Sequence, residues 1–374
     1  MKDCTGCGLC ASLCPQQCIE MRSVDKLGHL YPHIDVSLCT DCGKCRKVCP
    51  SVGKVTLTSP VTAYAAWAKD TDDYKSSSSG AASSVMARQI IRKGGIVYGC
   101  ALLPGVEVKH IRVDKEKDLR LLKGSKYVQS DIREVLSLIK NDVGSGSPVL
   151  FIGTPCQVAA VRKLFGTQPC NLFLADLVCH GVPSVNLLRR HIDRIIPFQT
   201  CHSITFREGN NFCLKLISGD DRATAYESYL DTERYKDFYI NSFMDGYTYR
   251  ESCYGCRYAS PERVGDVTVG DFWGLGKSAS ADMIPDHPDG CSLVMPISAK
   301  GHRLVEEIKP EMNIFERPVS EAVEGNDQLR KPVRKGPRKI LYRALAGHFD
   351  SRWPYYLSVA DLRVRIKFKK KKRV

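Results

Sequence analysis

The sequence predicts an α/β protein: a small α+β unit at the N-terminus followed by a mixed α/β body. Three observations carry this. Nine of the 18 cysteines fall within the first 49 residues, eight of them in two runs of the same spacing. Two strand–turn–helix units follow one another, at 149–165 and 172–195, as in a parallel sheet with crossover helices. A helix pattern from Ala81 to Lys93 is stopped by Gly94-Gly95 and leads into the apolar run Ile96–Leu102, which reads as a buried strand.

The cysteine runs come first in the chain. They are Cys4-x2-Cys7-x2-Cys10-x3-Cys14-Pro15 and Cys39-x2-Cys42-x2-Cys45-x3-Cys49-Pro50. Crowded cysteines in a reducing compartment argue for metal ligation over disulfides. Both runs have the bacterial ferredoxin spacing, in which three cysteines wrap one cubane and the fourth serves the other. Cys4, Cys7, Cys10 and Cys49 are therefore expected to hold one 4Fe-4S cluster, and Cys39, Cys42, Cys45 and Cys14 a second. A pair of zinc sites would need no third cysteine at this spacing and no Cys-Pro. Gly6, Gly8 and Gly43 are expected to let backbone amides approach the sulfurs. Cys18 lies outside the pattern and reads as a small buried hydrophobe.

After this unit, residues 1–58, a Ser/Thr/Gly/Pro exit leads into a second block at 62. Its loop Lys75–Gly80 precedes the helix pattern, and serine hydroxyls and free amides at a helix start make an anion cradle. A flexible Ser-rich linker has the same composition. Lys123–Ser130 then leads into a helix with apolar Ile132, Val135, Leu136 and Ile139, for which Ser130 is the expected N-cap. Gly144–Pro148 reads as a turn dividing the body into 62–145 and 146–320.

In both strand–turn–helix units a cysteine, Cys156 or Cys179, ends the strand, the edge where α/β sheets bind ligands. At a helix start such a thiol is expected to have a lowered pKa. His202–Ser218 reads as a hairpin around Gly209-Asn210-Asn211. Cys253-x2-Cys256 suits zinc, a redox disulfide or half an iron–sulfur site. Joined with Cys156 and Cys179 it makes four candidate ligands of a third 4Fe-4S cluster, against the plain alternative that the turn cysteines are simply buried.

Several motifs together resemble the beta-subunit family of coenzyme F420-reducing hydrogenases and formate dehydrogenases, from about Ala63 to about Phe315. They are Ser77-Ser78-Ser79-Gly80, Gly124-Ser125-Lys126-Tyr127, Gly153-Thr154-Pro155-Cys156-Gln157, Cys179–Ser184, Cys253-x2-Cys256 and Gly270-Asp271-Phe272-Trp273-Gly274. The resemblance implies an iron–sulfur flavoprotein oxidoreductase with FAD in the α/β body. It implies flavin contacts from Ser77, Ser78, Ser79, Gly80, Lys126 and Tyr127, with Gly153 and Thr154 as further ones. Cys156, Cys179, Cys253 and Cys256 are implied as ligands of the cluster near the flavin. One departure is Ala81, where relatives often carry a second glycine.

On this reading a ferredoxin-type partner or other external donor exchanges electrons with the clusters, and the flavin exchanges hydride with a small molecule. The substrate is not assigned. Members act on the deazaflavin coenzyme F420 or on a chlorophyll derivative, and many with the fused ferredoxin unit accompany glycan-biosynthesis genes. The alternatives are an electron-transfer subunit of a larger redox complex, or a coenzyme F420 oxidoreductase. No catalytic acid or base is assigned: His180 reads as a turn histidine hydrogen-bonded beside a cysteine, and Asp266 and Asp271 as turn and strand-end hydrogen-bonders.

Charge completes the sequence picture. The net +14 resides in residues 330–374, which hold 16 Lys+Arg and two acids, Asp350 and Asp361. The preceding 329 residues are balanced, which argues against nucleic-acid binding by the body. With no signal-peptide or membrane-spanning apolar run, the expected location is the cytoplasm. The segment 325–374 reads as a solvated basic tail with a short helix at 338–349 and interfacial aromatics at Trp353–Tyr356. Attraction to an anionic inner membrane surface is the sharper reading of its charge.

Overall fold

The computed structural model describes residues 2–219, 222–346 and 352–360. The N-terminal unit is a two-stranded antiparallel hairpin, β1 (Ile19–Ser23) with β2 (Leu30–Ile34), and two single-turn helices, Leu9–Ser12 and Lys44–Lys47. Each helix opens on a left-handed glycine, Gly8 at φ 72° and Gly43 at φ 67°, a conformation that costs an L-residue about 1–2 kcal/mol. Few apolar side chains are buried here, Leu9, Ile19, Met21, Leu27 and Tyr31 among them. A unit this small depends on what its cysteines bind and on its neighbour. Leu9 is fully buried in the core of the body with Ile132, Val135 and Leu136, so the unit is docked rather than tethered.

The body is built on β3 (Ala63–Ala68), β4 (Ile96–Leu103), β5 (Glu107–Val113), β6 (Val149–Gly153) and β7 (Leu172–Leu177). A separate three-stranded antiparallel sheet follows, β8 (Cys201–Glu208), β9 (Asn211–Ser218) and β10 (Ala223–Tyr229). The chain then returns to the first sheet with β11 (Val267–Asp271), β12 (Ser292–Pro296) and β13 (Met312–Arg317). The eight strands lie in the order β13-β3-β12-β11-β7-β6-β4-β5. The four central strands β4, β6, β7 and β11 are parallel, and both margins are antiparallel.

Alternation along the central strands makes two layers of core. Val97, Leu150 and Ala175 face helices Ala82–Arg92 and Ala299–Ile308, whereas Tyr98, Phe151 and Leu174 face helices Arg133–Gly144 and Pro155–Leu164. Central parallel strands buried on both faces therefore read as continuous apolar runs.

Several expectations need correction. The parts 62–145 and 146–320 on either side of the turn at 144–148 share one sheet, since β6 inserts beside β4. Ser130 is not the N-cap of the following helix: Ile132 is, and the Ser130 hydroxyl instead bonds His110 Nδ1 at 3.1 Å. The hairpin at 201–218 acquires a third strand, β10, which has polar, exposed positions and carries no apolar alternation to announce it. The segment after 325 is not a solvated tail throughout. Helices Pro337–Leu345 and Arg352–Ser358 pack on the three-stranded unit, burying Tyr342 and Tyr355 with Tyr247 and Phe238. The Tyr355 hydroxyl donates to Asp245 at 2.8 Å. The alternating run at 363–368 and the lysines after it lie outside the described residues.

Candidate electron-transfer site

Cys7 and Cys10 each have Cys4 and Cys49 as electrostatic neighbours, the set that the spacing groups together. Burial, with neighbouring thiols adding, pushes Cys7 up to about 11 and Cys10 up to about 12. Cys18, outside the ligand pattern, is buried as expected, yet its Sγ is 3.4 Å from that of Cys14, and Cys39 is also its neighbour. Cys39 and Cys42 are exposed, so this second set forms the outer end of the unit.

The fold brings together Cys156, Cys179, Cys253 and Cys256 of the body. Cys179 has Cys253, Cys156 and Cys256 as neighbours, and Cys156 has Cys256, Cys253 and Cys7. The first pair comes from the carboxyl ends of β6 and β7. The second comes from the single 3-10 turn Glu251–Gly255 and the residue after it. Cys7 thus joins the inner set to the first set of the N-terminal unit. Tyr258, buried, has Cys156, Cys256 and Cys7 around it.

The expected low thiol pKa at the helix start is overturned. Burial, and then the charges of Cys256, Cys253 and Cys7, push Cys156 up to about 12, although Thr154 Oγ1 lies 3.2 Å from its sulfur. A helix dipole is worth about 0.3–1 kcal/mol at an exposed end and does not offset desolvation among three other thiols. Such a set ionises only when a cation takes up its charge, which fits an all-sulfur metal centre. Among the described residues no three Cys, His, Asp or Glu side chains converge on a point that would hold a lone metal ion. A cubane spreads its four thiolates over four separate irons.

Buried polar groups hold the strand ends. Asp176, fully buried just before Cys179, accepts from Arg263 Nη2 at 2.6 Å, Thr268 Oγ1 at 2.8 Å and the Gly265 amide at 2.7 Å. At the Cys156 turn, the Gln157 side chain accepts from the Thr154 amide at 3.0 Å and donates to the Ser130 carbonyl at 3.0 Å. His180 is exposed and, among the described residues, makes no side-chain hydrogen bond, contrary to the expected turn contact. Asp266 and Asp271 do act as hydrogen-bonders. Asp266 Oδ2 accepts from the Leu174 amide at 2.9 Å, and both Asp271 oxygens accept from Arg207 Nη1 at 2.8 Å.

The serine loop borders a cleft of about 390 Å³ whose walls include Ser77, Ser78, Lys123, Gly124, Arg207 and Gly209. The hairpin side of this cleft was not expected from the sequence. Arg207 gave no signal there, being a lone arginine in a β run, yet its guanidinium lies 5.4 Å from the Phe212 and Trp273 ring centroids. Lys123 Nζ meets Ser76 Oγ at 2.6 Å and Asp73 at 2.5 Å.

Among the described residues the buried Ser79 hydroxyl has no partner, and helix Ala82–Arg92 starts just behind the loop. An orphaned donor, lysines and a helix start fit an anionic group such as a phosphate. Gly80 has a different reason to be glycine: a Cβ there would lie 2.0 Å from the Ala66 carbonyl oxygen of β3. Ala81 stands at φ 64°, the left-handed conformation a glycine adopts without strain.

Lys126 and Tyr127 do not line the cleft. Lys126 Nζ donates to the carbonyls of Leu122 and Lys123 at 2.8 and 2.7 Å, and burial lowers its pKa to about 8. Tyr127 stacks on Phe243 with centroids 4.5 Å apart. Gly153 and Thr154 end β6 beside Cys156.

Residues 146–322 match the family described as the C terminus of the coenzyme F420 hydrogenase/dehydrogenase beta subunit, and residues 3–52 match the 4Fe-4S dicluster domain. Over residues 146–322 the chain is similar to the coenzyme F420 hydrogenase/dehydrogenase beta subunit. The dicluster domain in front of it makes this beta-subunit relative an iron–sulfur electron-transfer protein of oxidoreductase type. No curated protein matches. A chain from a structure of the F420-reducing NiFe hydrogenase complex from Methanosarcina barkeri aligns over 73% of this chain and 91% of its own. It has 18% identity and a TM-score of 0.47.

Proposed function

We propose that the chain is an iron–sulfur flavoprotein oxidoreductase. It exchanges electrons with an external donor or acceptor such as ferredoxin, and hydride with a small molecule. Bound clusters supply one-electron transfer and a bound FAD supplies two-electron storage. The observation that carries this reading is the proximity of Cys7 to the inner set, through Cys156, at the carboxyl edge of the parallel strands.

On this reading Cys4, Cys7, Cys10 and Cys49 hold one cluster, and Cys14, Cys39, Cys42 and Cys45 the exposed one. Cys156, Cys179, Cys253 and Cys256 hold a third. Ser77, Ser78 and Ser79 offer hydroxyls, and Lys123 charge, to the phosphates of FAD. Gly80 seats the loop on β3, and Lys126 and Tyr127 shape the loop from behind. Gly153 and Thr154 set the floor beside Cys156. Pathways that build glycans remain the setting in which a substrate is sought.

Anaerobic reconstitution tests this. The full chain should bind about twelve irons and one FAD, and Cys156→Ala should lower iron by about four per chain. Turnover of an added acceptor by the isolated chain argues against the alternative of a subunit without substrate chemistry. A reconstituted chain that takes up no flavin overturns the reading.

A further inference from the structure

Arg250 is 1% exposed, the largest of the fully buried side chains, and it lies between the N-terminal unit and the body. Its Nε donates to the Cys4 carbonyl at 2.8 Å, its Nη1 to Gln129 Oε1 at 3.0 Å, and its Nη2 to the Leu30 carbonyl. The guanidinium carbon is 4.3 Å from the centroid of the Tyr31 ring. Gly6 is glycine because of it: a Cβ there would lie 2.5 Å from that carbon. On the backbone side, the Arg250 amide donates to the Val182 carbonyl at 2.9 Å and the Arg250 carbonyl accepts from Cys253 at 3.0 Å. One side chain therefore touches the loop of the first cysteine set, while its own backbone carries the loop of the inner set.

The guanidinium has no carboxylate. Among the described residues Arg250 forms no ion pair, and the acids nearby are taken. Glu251 binds Lys335 at 2.6 Å and Arg343 at 3.1 Å, and Asp25 binds His29 at 2.8 Å. A buried charge left unpaired is strongly destabilising, so its balance has to come from another anion. A cysteine of each adjoining set lies beside it. Cys253 feels the Arg250 charge directly, and Cys4 carries the carbonyl that Nε holds.

We propose that Arg250 is a positioning residue that sets the reduction potentials of the two centres it separates, those of Cys4/Cys7/Cys10/Cys49 and Cys156/Cys179/Cys253/Cys256. A fixed positive charge favours the reduced, more negative state of a centre and so raises its potential. Acting on both partners of one transfer, Arg250 keeps them matched and lets electrons cross from the N-terminal unit to the body. The inner half rests on the third cluster in the proposed function; the outer half does not.

The test is a redox titration, followed by electron paramagnetic resonance, of the anaerobically reconstituted full chain and three variants. Arg250→Met removes the charge, Arg250→Lys keeps it, and Gln129→Glu places a carboxylate against the guanidinium at nearly unchanged volume. The expected result is a shift to more negative potential of the two adjoining centres in Arg250→Met and Gln129→Glu. The Cys14/Cys39/Cys42/Cys45 centre should stay in place, and Arg250→Lys should keep most of the parent potential. Where Arg250→Met fails to assemble, Gln129→Glu decides. Potentials that do not move, or that move equally in all three centres, overturn the proposal. An iron content of about eight in the parent chain overturns the third cluster instead, and Arg250 is then judged on the Cys4 centre alone.

Discussion

His110 shows how far a single polar residue is committed by its burial. It is 2% exposed, its Nε2 is 2.9 Å from the Ile152 carbonyl, and Ser130 Oγ is 3.1 Å from Nδ1. The carbonyl requires a proton on Nε2, so Nδ1 accepts from the serine. Burial lowers its pKa to about 4. The unfolded chain takes up a proton near pH 6.5 and the folded one does not, so stability falls as pH drops between about 6.5 and 4 and flattens below. The contribution is on the order of 3 kcal/mol. His110→Gln should therefore flatten the acid side of a urea-midpoint profile relative to the parent chain, while an unchanged slope would remove His110 as its source. Asp176 is the other such residue, and Asp176→Asn should cost about 3–5 kcal/mol, because Arg263 would be left buried without its charge partner.

At the scale of elements, what matters is how loops are seated on strands. The serine loop is held against β3 and β12, where Gly80 allows contact that no side chain would, and the start of helix Ala82–Arg92 follows directly. Gly80→Ala should cost more than about 2 kcal/mol and lower soluble yield, since strand backbone has to move. A variant as stable as the parent chain would show that the loop has slack. The same logic explains the uneven legibility of the elements. Helix Ala82–Arg92 and strands β4, β6 and β7 were readable because burial imposes a period on apolar residues. Strand β10 was not, because it pairs through backbone and leaves polar side chains at the surface.

At the scale of the whole molecule, the C-terminal region joins two regimes. Helices Pro337–Leu345 and Arg352–Ser358 belong to the core of the three-stranded unit, so ending the chain at Gly336 should expose Tyr247 and Phe238 and lower the thermal midpoint. Removing only 361–374 should leave that midpoint unchanged while weakening co-sedimentation with anionic vesicles, worth about 1 kcal/mol per basic residue near the headgroups. Unchanged sedimentation would reject a membrane role for those residues. Among the described residues no helix is long and apolar enough to cross a membrane.

The sequence by itself determined the ligand chemistry of the N-terminal unit, because a cubane is wrapped by neighbouring residues and its spacing is local. It also determined the α/β class, because periodicity is local too. Only the tertiary structure decided that Cys156, Cys179, Cys253 and Cys256 meet, that Cys7 reaches them, and that, among the described residues, Arg250 stands without a carboxylate between the two halves. It decided as well that two helices of the C-terminal region, Pro337–Leu345 and Arg352–Ser358, pack on the core of the three-stranded unit. These are contacts between residues far apart in the chain, set by packing and by the partners a buried charge finds, and no local pattern records them.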